Sequence, residues 1–396
     1  MRIKTLPIFL AFFLMGLADA MGPMSEGVKK QYELSNLVAT LLPFFVFIAF
    51  ALFSIPGGLM AARIGKKKLL LLGLGLNSVA LLIPSVQMPG FALLLGCIFL
   101  LGIGTTFLQV AGNPIMRDVS PEGAYSRNLS LAQGIKGIGS TLSTYLISAI
   151  ATLVIFQGMG WRGAFPLFFV LMALAFFSVT GLKVEETKAE KPPSFGSSLS
   201  LLKEPIFLFA VLGIFLYVGA ESCMGRFLNP TFQALGMNAH AANKWGPTLF
   251  FLLLTIGRLL GGLALTAMTP RNCFTLSALL GILGTWGVSS GSSNLAVAGV
   301  VAAGLGFANI WPMLFSITVE RRPECANELS GLMCMAISGG ALVPLLMGWL
   351  MDLGWGARAF IVPSMCFLYL LGLALGGRLK PSRAAIEKKA EALKLS

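Results

Sequence analysis

The stretch Phe13-Leu-Met-Gly-Leu-Ala-Asp19 near the start of the chain recurs, with small changes, as Phe215-Leu-Tyr-Val-Gly-Ala-Glu221. Each copy places an acidic residue six positions after a phenylalanine, inside an apolar run long enough to cross a bilayer. The same offset of 202 residues relates two further pairs of motifs, Gly102-x-Gly104 with Gly304-x-Gly306 and Pro121-Glu122 with Pro323-Glu324. The chain therefore contains a duplicated membrane unit, a pattern typical of secondary transporters.

The composition of the 396-residue chain is that of a membrane protein. Hydrophobic residues make up 56% and charged residues only 11%, whereas a soluble domain needs far more charge to cover its surface. The net charge of +13 comes from basic residues in short loops between apolar runs, so we interpret it as a topology signal and expect no nucleic-acid partner. The six cysteines form no CxxC pair, which argues against both a metal site and a disulfide framework.

Twelve apolar runs predict twelve transmembrane helices and an all-α integral membrane fold. The polar stretch 183–204 separates the sixth run from the seventh, so we expect a six-helix bundle over 1–182, a cytoplasmic linker over 183–204, a second bundle over 205–378 and a cytoplasmic tail over 379–396. The runs cover 6–24, 36–62, 68–87, 90–116, 129–156, 162–182, 205–235, 243–268, 272–290, 294–318, 327–351 and 356–378.

The distribution of Lys and Arg between the loops predicts the orientation. If the N-terminus lies in the cytoplasm, 21 of these residues fall on the inner side of the membrane and five on the outer side. An excess of Lys and Arg in cytoplasmic loops is the general rule for membrane proteins. Both termini are therefore expected in the cytoplasm.

Several motifs carry a resemblance to a known family. The loop Gly58-Leu-Met-Ala-Ala-Arg-Ile-Gly-Lys-Lys67 resembles the cytoplasmic motif between helices 2 and 3 of the major facilitator superfamily, although Ala62 stands where that motif usually has Asp. Five more segments resemble the fucose/proton symporter family of sugar permeases: LQVAGNP (108–114), NLSLAQGIKGIGS (128–140), FLYVGAE (215–221), GLGFANIWPMLFS (304–316) and SGLMCMAISGGALVPLLMGWLMD (330–352). The resemblance covers nearly the whole chain and implies the major facilitator fold, with two pseudo-symmetric bundles and a sugar as substrate.

Polar residues at helical spacing mark the expected substrate site. Amides and hydroxyls on one helix face suit sugar hydroxyls, which need both donors and acceptors, although such groups also hydrogen-bond neighbouring helices. Asn113 precedes Pro114 and has the alternative role of satisfying carbonyls freed at the proline kink. The aromatic candidates have the alternative role of packing. The candidate substrate residues are Gln109, Asn113, Gln133, Lys136, Tyr217, Arg226, Asn309 and Trp311.

Charged residues inside the spans are the candidates for ion coupling, because burying a charge in a span is costly. In the fucose symporter a Glu in helix 4 is thought to take part in proton coupling, and Gln109, which cannot titrate, stands at that place. We therefore expect Asp19 and Glu221 to carry the proton, with Glu221 meeting Lys136 or Arg226. Asp19 has the alternative role of a structural ion pair. Arg63 and Arg258 are expected to be gating or structural residues.

The leading hypothesis is a monomeric symporter of the bacterial inner membrane that imports a neutral hexose or deoxyhexose with a proton, by alternating access. Sodium is the alternative coupling ion. Lys136 stands where the family usually has Asn, so the alternative substrate is an acidic sugar or other organic anion, with Lys136 and Arg226 as counter-charges. A sensor without transport activity is a third hypothesis. The sequence lacks a nucleotide-binding loop and paired metal ligands, so neither an enzymatic activity nor a cofactor is expected.

Overall fold

The computed structural model of the chain describes residues 6–18, 21–35, 38, 41–150, 159–182, 186 and 193–376, with the backbone alone at 18, 21–23, 25, 26, 144, 145 and 148. Twelve main helices run through the described part. They are α1 (Leu6–Ala18), α2 (Leu41–Ile64), α3 (Lys66–Val86), α4 (Phe91–Val119), α5 (Tyr125–Ile150), α6 (Gly160–Thr180), α7 (Pro205–Ala234), α8 (Ala239–Ala264), α9 (Pro270–Ser289), α10 (Ser293–Arg321), α11 (Pro323–Asp352) and α12 (Gly356–Leu375).

Length and composition allow most of these helices to cross a membrane. Ten of them are long and apolar enough, α1 is a shorter apolar helix, and α5 covers most of the predicted fifth span. A further helix, Met21–Gln31, follows α1, and a short helix, Phe195–Ser200, precedes α7. The predicted all-α membrane fold is confirmed, and most helix ends lie within a few residues of the predicted spans.

The packing of the helices repeats the duplication seen in the sequence. In the first half α1 packs on α5, α2 on α4, and α3 on both α4 and α6. The second half has the equivalent pairs six helices later, namely α7 with α11, α8 with α10, and α9 with both α10 and α12. Between the halves α2 packs on α11 and α5 on α8, which are again equivalent pairs. The repeated sequence therefore folds into two bundles of the same topology.

The two halves approach most closely where α2 crosses α11. A Cβ atom added to Gly58 would lie 2.6 Å from the carbonyl oxygen of Asn327, and one added to Gly331 would lie 2.8 Å from that of Ser54. Only glycine allows two helix backbones to approach to this distance, as in other membrane helix pairs with small residues at the crossing. A larger side chain at either glycine would push the halves apart.

Contacts between the halves are concentrated at one end of the molecule. We call the end where α2, α4, α6, α8 and α10 finish the basic end, because Arg63, Lys66, Arg117, Arg271 and Arg321 lie there. At this end α4 packs against α11 and α5 against α10. By contrast, α1 and α7 form no substantial interface within the described residues. The halves are thus closed against each other at the basic end.

The loop between α2 and α3 is held by an ion pair inside the first half. Lys66 Nζ lies 2.5 Å from Asp118 Oδ2 at the end of α4, and both side chains are 1% exposed. The carboxylate of Glu186 accepts hydrogen bonds from the backbone N–H groups of Lys66 and Lys67, at 2.6 and 2.9 Å. An acid at this place satisfies the free N–H groups that begin α3 and suits the positive end of its dipole. Arg63 is exposed.

Candidate functional site

Polar side chains from both halves meet where α4 and α5 face α10 and α11. Gln133 Nε2 of α5 donates to Asn113 Oδ1 of α4 at 3.2 Å, and Asn113 Nδ2 lies 3.9 Å from the Cys334 thiol of α11. Asn113 and Gln133 are at most 2% exposed. The two predicted amides are therefore brought together, and they bridge to the second half.

Pro114 removes one hydrogen bond from α4 and leaves the carbonyl of Val110 without its usual helical donor. Ser330 of α11 supplies that donor, since its hydroxyl donates to the Val110 oxygen at 2.8 Å. The side chain of Asn113 is engaged elsewhere, so the interpretation that Asn113 satisfies the carbonyl freed by the proline is wrong. The kink instead creates a hydrogen bond between the two halves.

Gln109 and Trp311 occupy equivalent positions of the duplicated unit, since they are separated by the same 202 residues as the repeated motifs. Both side chains are almost fully buried, at 2% and 4% exposure. The carbonyl oxygen Oε1 of Gln109 and the indole nitrogen Nε1 of Trp311 have no hydrogen-bond partner within the described part of the chain. One half thus offers an unused acceptor and the other an unused donor.

Glu221 of α7 forms an ion pair with Arg258 of α8, with 3.6 Å between Oε2 and Nη2. The same guanidinium donates from Nη2 to the hydroxyl of Tyr217 at 3.2 Å. The expectation that Glu221 meets Lys136 or Arg226 is therefore wrong, because Arg258 reaches Glu221 from the neighbouring helix. Arg226 is exposed, and its guanidinium carbon lies 5.9 Å from the centre of the Phe227 ring. The side chain of Glu221 remains 24% exposed, so part of its carboxylate is accessible.

Arg258 also compensates for a proline. Pro312 lacks an N–H group, so the carbonyl of Ala308 loses its usual helical donor, and Arg258 Nε donates to it at 3.2 Å. The α10 helix is interrupted at the next residue, Asn309, whose Nδ2 donates to the Gly257 carbonyl at 2.9 Å. Asn309 is therefore engaged in joining α10 to α8 in this state.

Ser130 of α5 joins this junction from the other half of the molecule. Its hydroxyl oxygen lies 2.7 Å from Asn309 Oδ1 and 2.9 Å from the main-chain oxygen of Arg258, and these two acceptors share its single proton. One turn earlier, the hydroxyls of Ser126 and Ser316 are 2.8 Å apart across the same interface. The sequence interpretation missed these serines, although their spacing of four places them on one face of α5.

Lys136 is half-buried on α5 and lies close enough to the Cys334 thiol for an electrostatic interaction. The Lys136 carbonyl would lie 2.0 Å from a Cβ atom on Gly16, so α1 and α5 are in direct backbone contact there. Asp19, the first of the two predicted coupling acids, lies outside the described residues.

The aromatic candidates are packed rather than open to a ligand. Tyr217 is 1% exposed, with its ring centre 6.1 Å from that of Phe307, and Trp311 stands 5.8 Å from Phe315. The faces of both rings are covered in this state. Stacking of either ring on a sugar therefore has no support from this geometry.

The chemistry available at the site is hydrogen bonding rather than catalysis. The candidate residues offer amide, hydroxyl and indole groups and the ion pair of Glu221 with Arg258, and no group of three or more potential metal ligands occurs within the described residues. Such a set can recognise a polar neutral solute by donating and accepting hydrogen bonds.

Comparison with known proteins gives consistent matches over most of the chain. The sequence model of the Major Facilitator Superfamily matches residues 8–343. A glucose/galactose transporter of Brucella abortus is 30% identical over 395 residues, which cover 94% of this chain and 92% of that protein. The L-fucose-proton symporter of Escherichia coli is 22% identical, with coverage of 90% and 89%.

Solved structures with the same fold include two transporters. The crystal structure of FucP in the outward conformation matches with a TM-score of 0.81 at 20% identity, covering 94% of this chain and 98% of FucP. The proton:xylose symporter XylE, bound to 6-bromo-6-deoxy-D-glucose, matches with a TM-score of 0.72 at 15% identity, covering 93% and 94%. At these identities the likeness concerns the fold.

Proposed function

Because this chain belongs to the major facilitator superfamily of transporters, and is not an enzyme, we propose that it carries a neutral hexose or deoxyhexose into the cell together with a proton. The relatives named as a glucose/galactose transporter and an L-fucose-proton symporter support a sugar as the substrate class. The names of the L-fucose-proton and proton:xylose symporters support the proton as the coupling ion.

The observation that carries the sugar proposal is the pair of unused polar atoms at Gln109 and Trp311. A buried donor or acceptor without a partner destabilises a protein by about 1–3 kcal/mol. A sugar hydroxyl both donates and accepts, so hydroxyls of one ring could satisfy Gln109 Oε1 on one side and Trp311 Nε1 on the other. Binding a sugar between the halves would then remove a cost that the empty state carries.

The charge at the site supports a neutral sugar. Glu221 and Arg258 offset each other, and the accessible part of the Glu221 carboxylate would repel an acidic sugar while accepting hydrogen bonds from a neutral one. The alternative substrate, an acidic sugar or other organic anion, rests on Lys136, which places a positive charge where the family usually has an amide. Arg226, its proposed second counter-charge, is exposed and stands apart from the Glu221 and Arg258 pair.

Two acids are proposed to carry the coupling proton. Asp19 and Glu221 are equivalent in the duplicated unit, and the titratable position of helix 4 in the fucose symporter is occupied here by Gln109. Protonation of Glu221 would remove the charge that holds Arg258. Protonation of Asp19 would change the charge balance of the first half in the same way.

The proposed setting is the bacterial inner membrane, with both termini and the linker 183–204 in the cytoplasm and the chain acting as a monomer. Under this orientation the basic end is cytoplasmic, and its closure corresponds to an outward-facing state. FucP, the structural neighbour, was solved in an outward conformation. Labelling of Phe195→Cys from the cytoplasmic side only is the expected result, and labelling from outside would refute this orientation.

A binding panel tests the substrate class directly. Purified protein is heated with D-glucose, D-galactose, L-fucose or D-glucuronate, because a ligand raises the melting temperature of the state that it binds. We expect at least one neutral sugar to stabilise the protein and D-glucuronate to have no effect. Stabilisation by D-glucuronate alone would instead support the acidic substrate.

A further inference from the structure

Within the described part of the chain, Arg258 contacts both Glu221 of α7 and the closed junction between the two halves. Its guanidinium reaches Glu221 and Tyr217. Its main-chain oxygen accepts the hydroxyl of Ser130, which belongs to the other half. We infer that Arg258 is a positioning residue through which the charge of Glu221 controls closure of the basic end.

The first step of this link is the guanidinium itself. It is 9% exposed, and it donates to the Ala308 carbonyl while facing the Glu221 carboxylate. A buried guanidinium keeps a fixed position only when its donors have acceptors on several sides. Loss of the Glu221 charge weakens the attraction of the carboxyl group for Arg258 and leaves the Tyr217 hydroxyl as the remaining contact on α7, so the side chain is held less firmly toward α7.

The second step runs through the break in α10. Pro312 leaves the Ala308 carbonyl dependent on Arg258, and the helix is interrupted at Asn309, where the backbone can turn at little cost. Movement of the Arg258 side chain therefore frees the Ala308 carbonyl beside this break. Asn309 is bonded to the main chain next to Arg258, at Gly257, and would shift with it.

The third step crosses to the first half. Asn309 Oδ1 and the Arg258 main-chain oxygen share the hydroxyl proton of Ser130, and both acceptors belong to the junction that Arg258 stabilises. A shift of this junction weakens the contact between α5 and the second half. A continuous set of contacts thereby links the charge state of Glu221 to closure of the basic end. The role of this link in a transport cycle rests on the proposed function.

A double-mutant cycle on the distance across the basic end tests the link without any substrate. Glu122 and Glu324 are exposed, equivalent in the repeat, and lie in the two loops at this end. Both are changed to Cys and spin-labelled in a Cys325→Ser background, since the other five cysteines are buried. Electron–electron distance measurements on purified protein then give the ratio of open to closed molecules.

Glu221→Gln removes the charge of an ion pair and Ser130→Ala removes one hydrogen bond, and each should raise the open-to-closed ratio about five-fold. Together they should raise it by less than the product of the two effects, because the second change acts on a link already weakened by the first. Ser126→Ala is the matched control. It removes the hydrogen bond to Ser316, which does not involve Arg258, so its effect should multiply with that of Glu221→Gln.

Arg258→Lys provides a second variant. Lysine keeps the charge but lacks the planar set of donors, so it should shift the ratio in the same direction as Glu221→Gln. The inference is overturned if Glu221→Gln leaves the open-to-closed ratio unchanged. It is also overturned if Glu221→Gln and Ser130→Ala together change the ratio by the full product of their single effects, as is expected for Glu221→Gln with Ser126→Ala. If the cycle behaves as expected but none of the tested sugars binds, the proposed function fails and the link stands.

Discussion

Gln109 of α4 and Trp311 of α10 stand at equivalent positions of a duplicated unit and present complementary polar atoms, an acceptor in one half and a donor in the other. Both atoms are buried and lack a hydrogen-bond partner within the described residues. A duplication that has diverged in this way provides two different polar contacts at equivalent positions of the two halves. A polyhydroxylated ligand can use both, because each hydroxyl donates one hydrogen bond and accepts others.

Removing the indole donor is the first test of this site. Trp311→Phe keeps an aromatic ring but deletes Nε1, so we expect sugar affinity to fall about ten-fold with little loss of folding. Thr231→Val is the control. Thr231 also buries a hydroxyl without a partner, but it lies near the C-terminal end of α7, away from the basic end. The sugar affinity of both variants is measured by titrating the stabilising sugar and recording the melting temperature at each concentration. Equal affinity of Trp311→Phe and the native protein would exclude this contact.

Neutralising the first acid tests coupling. Asp19→Asn should abolish accumulation of sugar against its gradient in proteoliposomes, because the proposed proton site can no longer ionise. Exchange of labelled for unlabelled sugar should continue, since exchange needs binding and movement but no net proton transfer. Normal accumulation by Asp19→Asn would assign the coupling to Glu221 or to another ion.

Substitution of Lys136 on α5 distinguishes a neutral sugar from an acidic sugar as the substrate. Lys136→Asn restores the amide that the related family has, so under the neutral-sugar proposal it should alter coupling and leave measurable sugar binding. Binding of D-galactose and D-glucuronate is compared in both proteins. Complete loss of D-glucuronate binding in Lys136→Asn, with no neutral sugar binding to either protein, would establish the acidic substrate instead.

The buried ion pair of the first half should dominate the stability of the α2–α3 loop. Asp118→Asn removes one charged partner from the buried Lys66 ammonium, so we expect a loss of up to about 3–5 kcal/mol in the free energy of unfolding. Glu204→Gln disrupts the exposed pair with Arg322, whose side chains are 42% and 37% exposed, and should cost less than about 1 kcal/mol. Similar melting temperatures for the two variants would contradict this assignment.

The fold could be predicted from the sequence because its signals are long and repeated. Apolar runs set the helices, and the duplication implies equivalent packing of the two bundles, as the pairs α1–α5 and α7–α11 illustrate. The repeated acids could be located in the same way. The partner of Glu221 could not be predicted, because spacing along α7 says nothing about which residue of α8 reaches it.

The contacts between the halves were harder to predict for a different reason. They use neutral hydroxyls such as Ser130 and Ser330, which are common residues, and carbonyls that become acceptors only because a helix is locally broken. Pro114 and Pro312 do indicate which carbonyls are freed, namely those four residues earlier. Which side chain supplies the missing donor depends on the tertiary fold. For α4 the donor is Ser330, which reaches across from the other half, whereas for α10 it is Arg258, which belongs to the same half.

The central claim is that this transporter moves a neutral sugar with a proton. Its most direct test is uptake of radiolabelled D-galactose, D-glucose and L-fucose into proteoliposomes under an imposed pH gradient, acidic outside. We expect at least one of these sugars to accumulate above its external concentration, and we expect a protonophore to reduce its internal concentration to equilibrium with the outside. Accumulation unaffected by the protonophore, or no uptake of the three sugars while D-glucuronate accumulates, would contradict it.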